Sequence, residues 1–300
     1  QAAALSVNQV KAIETVDLAV METADIAALG SAQVAGLLDA QINALNAEQL
    51  AALKTAQIRA LTATQLALLD ADDINALGTH QIAALGTHQI AALNTAQLAA
   101  LVAEDLTAMG THQVNAMSGA NMAALSVDTV AGFTTQQIAA LGTEQLAGLQ
   151  TQQLAAMETA DLAALGTAQI RALSLPQLAA VDATQLSHLT TAQVAALSTA
   201  QVASLEPATL AALGTHQFVA MGSAQIAAFT TAQAAVLETA DLAKLSSSQL
   251  RALSNENITA LEADHIAALT TAQVAALAAG QAAAIDPADL AAMGTAARAA

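Results

Sequence analysis

Four of the six histidines share one sequence context: His80, His88, His112 and His216 each follow Gly-Thr and precede Gln. A column of imidazoles would bind a transition metal or respond to pH, provided three or four ligands converged within a few ångströms. Carboxylates recur three residues apart at Glu22/Asp25, Glu158/Asp161, Glu238/Asp241 and Asp286/Asp289. That spacing suits acid–base work or calcium. Threonine stands at every eighth residue at Thr79, Thr87 and Thr95, and again at Thr135, Thr143, Thr151, Thr159 and Thr167. Such a ladder of hydroxyls could order water or present an ice-binding face. Cysteine is absent, which excludes disulfides, thiolate metal sites and cysteine nucleophiles. No G-x-S-x-G elbow, Gly-rich phosphate loop or D-x-D-x-D-G calcium loop occurs either.

All these residues are placed by a period of eight. From Leu5 through Met293 every eighth residue is a large apolar side chain, with no insertion or deletion. With this residue as position 8, the consensus is [G/T/S/E/D]-T-A-Q-[L/I/V]-A-A-L. Position 5 is apolar from Val10 to Leu290, weakening only to Ala234 and Ala282. Linkers and composition shifts are missing, so residues 1–300 read as a single continuous array of about 37 repeats. The last repeat is degenerate, with Arg298 at position 5. The chain is 55% hydrophobic, too apolar for intrinsic disorder, but 1% aromatic, so its core must be thin and aliphatic.

Three backbones could carry the octad. In one long helix, a step of about 100° per residue leaves successive leucines offset by about 80°, and they spiral round the rod without forming a seam. Strands are disfavoured because the Q-L-A-A-L core lacks alternation and is rich in Ala and Gln. A short helix that stops and restarts in every octad fits the punctuation. Position 1 carries N-capping residues and position 4 is nearly always Gln or Asp, so Ser198-Thr199-Ala200-Gln201 reads as a capping box. Pro207 and Pro287 fall at position 2 and Pro176 at position 3, all within the first helical turn. Nine of the 14 glycines sit at position 1, among them Gly30, Gly78, Gly86 and Gly214, where a left-handed conformation would end one helix before the next begins.

The expected fold is therefore all-α: a tightly wound α-solenoid with one short helix per octad, forming an elongated rod. Positions 5 and 8 form its core, and small Ala at positions 6 and 7 lets backbones approach. With two octads per turn, about 18 layers give a rod on the order of 150–180 Å long. In this register the position-3 histidines face solvent in the first helical turn, and His188 and His265 are isolated substitutions. The paired carboxylates become N-cap and N3 residues that meet the positive helix end. The threonines become first-turn residues that pack a methyl and assist capping. No catalytic, cofactor-binding or metal-ligating residue is assigned, and no cofactor or enzymatic activity is expected.

Seven Lys+Arg against 24 Asp+Glu give a net charge of −17, which repels phosphate backbones and anionic lipid. No unbroken apolar run is long enough to span a membrane, and no signal peptide is visible. The missing initiator Met suggests a processed chain or a piece of a longer one. The stretch Leu269-Thr270-Thr271-Ala272-Gln273-Val274-Ala275-Ala276-Leu277 is similar to the first helix of TAL-effector DNA-binding repeats. The longer period, base-reading loop and basic stripe of that family are missing, so no nucleic-acid partner is expected. Across nearly the whole chain, T-x-x-Q-[L/I/V]-A-A-L resembles the Ala-rich tandem arrays of large secreted or surface, adhesin-like proteins of Gram-negative bacteria. That resemblance implies an extracellular or cell-surface stalk, spacer or filament module. Little sign of polar capping repeats at either end points to self-association end to end, or to further repeats of the same chain. The alternative is a rod that binds ice, a surface or a ligand through the threonine column.

Overall fold

The computed structural model describes residues 1–292. Among these, a 3₁₀ turn at Ala2–Ala4 is followed by 36 short α-helices, from Val7–Lys11 to Pro287–Ala292, one per octad. Met293 and Arg298 lie outside the described residues. Helices of four to six residues such as Thr79–Ile82 and Thr87–Ala92 cannot persist alone, because nucleation costs more than so few bonds return. Packing must hold each one.

Every helix begins at position 2. Pro207 occupies the first helical position and Pro176 the second, where a missing N–H costs nothing. Position 1 is extended, and the chain leaves each helix through an extended position 8, or through a residue near the helical region just before it. Leu93, for example, has φ −63° and ψ 133°, and its amide still bonds back to the carbonyl of Ile90 at 3.2 Å. The expectation of left-handed glycines is corrected here: no described residue has positive φ. Gly30 (φ −77°, ψ 157°) and Gly214 (φ −79°, ψ 159°) share the extended N-cap conformation of Ser198 (φ −70°, ψ 160°). A left-handed residue serves a helix end by turning backbone N–H groups onto its last carbonyls. Here those carbonyls are taken by side chains from another octad.

Helices pack on partners three octads away, as Thr79–Ile82 does on Ala103–Ala108 and Gly119–Ala124 on Thr143–Gly148. Side-chain bonds reach octads four positions back, as from Gln81 to the carbonyl of Leu50. One superhelical turn thus takes between three and four octads. The two per turn assumed for the length of the rod does not hold, and the layer count built on it falls too. Physically, the extended pair at positions 8 and 1 redirects the chain by less than the half-turn a two-helix layer requires.

The core is formed as the period demands. Position 5 is sealed, with Ile58, Leu98 and Leu146 all at 0% exposure, and position 8 lies just outside it, buried at Leu53, Leu101 and Leu149. Phe218 and Phe229 meet edge to face with ring centroids 6.4 Å apart. Cover is thinner in the first and last described octads: Ile13, Met21, Val274 and Leu277 are half-buried, and Ala282 and Leu290 are exposed. The packing gathers into two compact units, one spanning Gln1–Met157 and the other beginning at Glu158, with the boundary between a position 8 and a position 1.

Turns meet where position 2 of one octad faces position 7 of an octad in the next turn. At three places position 7 is glycine because nothing larger fits. A Cβ on Gly148 would lie 2.5 Å from Cα of Gly119, and one on Gly132 would lie 2.9 Å from Cα of Ala103. Gly36 is similarly pressed by Val7. Elsewhere position 7 is mostly half-buried Ala and position 6 is mostly exposed, so of the two small positions it is chiefly the seventh that lets backbones approach.

Candidate functional site

The chemistry that recurs inside the array belongs to the position-4 glutamine, the third residue of each helix. An amide side chain accepts through its oxygen and donates through its nitrogen, and both ends are used. In Gln97, Oε1 accepts the N–H of Asn94 at 2.9 Å, while Nε2 donates to the carbonyls of Leu66 at 2.8 Å and Leu69 at 2.7 Å. Gln137 does the same with Thr134 at 2.8 Å, Leu106 at 2.6 Å and Met109 at 2.7 Å. Gln193 binds Thr190 at 2.7 Å and both Leu162 and Leu165 at 2.8 Å. Each glutamine so joins the start of its own helix to the end of a helix 28 to 31 residues earlier. Helix ends leave backbone N–H and C=O groups unpaired, and this one side chain takes up both kinds.

Burial gives the clasp its force. Gln81, Gln217 and Gln233 are fully enclosed, and among the described residues no buried side-chain nitrogen or oxygen lacks a partner. A typical hydrogen bond contributes about 0.5–1.5 kcal/mol net, but a buried group left unpaired costs about 1–3 kcal/mol. The clasp therefore fixes which turns may sit against each other more than it adds to total stability.

Other residues at position 4 test what the place requires. Asn121 and Asn257, one methylene shorter, reach only the carbonyl 28 residues back, donating to Leu93 at 3.1 Å and Phe229 at 2.9 Å. Thr129 donates its hydroxyl to Leu101 at 3.0 Å. His265 is more than an isolated substitution: Nδ1 accepts the N–H of Glu262 at 3.0 Å, and Nε2 faces the carbonyl of Leu237 at 2.7 Å. A neutral ring carrying its proton on Nε2 reproduces both halves of the amide.

Asp73 and Asp105 keep only the local half, while Asp241 takes its bond from a helix 26 residues earlier. Asp73 and Asp105 accept the N–H of Asp70 at 3.1 Å and of Val102 at 3.2 Å. Asp241 receives the hydroxyl of Thr215. Burial pushes the carboxyl of Asp73 above its usual range against the lowering bond from the Asp70 amide, with the charges of Asp70 and Asp72 adding to the rise. Burial likewise raises Asp241, opposed by the Thr215 hydroxyl and reinforced by Glu238.

The residues singled out by spacing alone do not converge. His80, His88, His112 and His216 are exposed at position 3, and among the described residues no three His, Asp or Glu side chains are placed to hold a metal. His188 is exposed, with Nδ1 2.8 Å from the carbonyl of Thr184. Glu22, Glu158 and Glu238 are N-caps whose side chains make no capping bond, so they contribute charge alone at the helix start. Their partners Asp161 and Asp241 are buried, while Asp25 is half-buried. Asp286 accepts the N–H of Ala288 at 2.7 Å. The Ser198 box forms on both sides, with the Ser198 N–H 2.8 Å from Gln201 Oε1 and the Gln201 N–H 3.2 Å from Ser198 Oγ.

The threonine column lies along the seam between turns. Thr79, Thr87 and Thr159 are half-buried, and Thr135, Thr143 and Thr151 are exposed. Where a position-2 hydroxyl has a partner in its own unit, that partner lies on a later turn: Ser31 donates to the carbonyl of Ala56 at 3.1 Å, and Thr215 to Asp241. An open hollow lined by Ala103, Glu104, Thr107 and Ala108 offers one carboxylate and one hydroxyl. That hydroxyl oxygen already lies 2.8 Å from the carbonyls of both Ala103 and Gly132, which share its one hydrogen. This chemistry holds turns together.

Six segments of the chain, residues 10–47, 44–79, 67–103, 154–191, 202–237 and 234–271, match the ALTTAQ repeat. Each is longer than the 28-residue reach of the glutamine, so the matched unit spans slightly more than one superhelical turn. A search of curated protein sequences found no match.

Proposed function

The chain belongs to the ALTTAQ repeat family, and we propose that this regular helical repeat protein is a structural module of the stalk or filament kind, placed on or outside the cell. The observation that carries this reading is the recurrent use of position 4. Buried amides such as Gln81, Gln137, Gln193 and Gln273 are spent on joining turns, and no buried polar side chain among the described residues is held in reserve for a ligand. A support whose one repeated chemistry is internal has a surface free to vary, as positions 1, 3 and 6 do.

The role is non-enzymatic, and the partners are further octads of the same kind or another copy of the chain. Incompletely covered core positions favour such contacts: Ile13 and Met21 in the first octads, and Leu290 in the last described one. The charge of −17 opposes binding to nucleic acid. No described helix is long and apolar enough to cross a membrane.

Negative-stain microscopy of the concentrated protein tests self-association, and end-joined assemblies are the expected result. Dispersed short particles at every concentration would overturn the filament reading. Antibody labelling of intact against permeabilised source cells tests the placement; a signal that appears only after permeabilisation rejects it.

A further inference from the structure

Position 4 is a donor site toward the carbonyl 28 residues back, supplied by glutamine amide, asparagine amide, threonine hydroxyl or histidine ring N–H. Asp73, Asp105 and Asp241 occupy the same register, with Leu45, Leu77 and Leu213 in the acceptor place, and an ionised carboxylate has no hydrogen to give. Asparagine has the shape of a protonated aspartate, and Asn121 and Asn257 span the gap at 3.1 and 2.9 Å. We propose that Asp73 and Asp241 are acid-closed clasps: protonated, each carboxyl donates its hydrogen to the position-8 carbonyl one turn back, a bond that is absent at neutral pH.

Acidic groups crowd Asp73, whereas Asp241 faces charges of both signs. Asp73 has Asp70 and Asp72 on its own octad, Glu48 on the packed helix Ala47–Ala51, and Asp39 on the helix that precedes its acceptor. The other packed helix, Thr95–Ala99, carries no ionisable residue. Asp241 has Glu238 and Lys244 on its own octad, His216 on Thr215–Ala220, Asp264 and His265 on Ala263–Ala267, and Glu206 capping the helix before its acceptor.

The direction at Asp73 and Asp241 agrees: both carboxyls are raised above 3.8, chiefly by burial. A group raised on folding contributes stability that is fully present below the unfolded value. That contribution is lost as pH rises through the folded one. The effect runs opposite to ordinary acid denaturation.

The test compares the full chain with D73N/D241N by thermal unfolding followed by circular dichroism, from pH 7 to pH 4. Asparagine is a clasp that cannot open, so the variant is expected to melt about 2–4 °C above the parent at pH 7. That gap should close as the pH falls. A variant that melts with or below the parent at pH 7, or a gap that persists unchanged at pH 4, overturns the proposal. The D73A/D241A variant provides the second reading: it should not gain at pH 7, and its deficit against the parent should grow as the pH falls. A difference between parent and alanine variant that does not change with pH also overturns it.

Discussion

Two adjoining octads, Asp70–Leu77 and Gly78–Leu85, build the same helix start and differ in how it is tied to the rest. In the second, Gln81 is fully buried, accepts the N–H of Gly78 at 2.7 Å, and donates to Leu50 at 3.0 Å and Leu53 at 2.7 Å. In the first, Asp73 is half-buried and exchanges bonds only with Asp70, at 3.1 and 2.9 Å. Both helices form, so making a helix and joining turns are separable tasks. The capping pair settles the former inside eight residues, and the amide nitrogen settles the latter across a turn.

The most damaging way to break the comparison is Gln81→Leu, which strands the Gly78 N–H and two carbonyls in a dry interior. A loss of about 3 kcal/mol is expected, read from the urea midpoint. Gln81→Asn sharpens it by keeping only the bond to Leu53, as Asn121 keeps only the bond to Leu93. About 1–1.5 kcal/mol should be lost, with hydrogen exchange rising at the ends of the two joined helices. Ser198→Ala touches the local half alone, since Gln201 still reaches Ile170 at 3.0 Å and Leu173 at 2.9 Å. Its expected cost is about 1 kcal/mol or less, confined in hydrogen exchange to the helix Thr199–Ser204.

Much of this was legible in the residues. The eight-residue period, Pro176 and Pro207, and the Ser-x-x-Gln box locate each helix, because those signals act within one turn of backbone. The core followed from positions 5 and 8 for the same reason. The number of octads per turn and the conformation of the glycines were not legible, since both depend on partners 28 to 31 residues away. One signal for them was nonetheless present. From Gln9 to Asp289, position 4 holds Gln, Asp, Asn, Thr and His but never Glu. Glutamate completes a capping box as well as glutamine does. Its absence, with glutamine at most of these positions, is a bias toward a side chain of that length that can also donate, which a box alone does not need.

The glutamine reaches back by a fixed count of residues, and this limits how such a chain can change length. Removing or adding eight residues hands every later side chain an equivalent carbonyl, and the array closes again. Inserting a single residue misaligns each contact that straddles it, for a full circuit on both sides. A gene encoding this fold can therefore grow or shrink freely by copying slips of eight codons, whereas a slip of one codon is punished across some thirty residues.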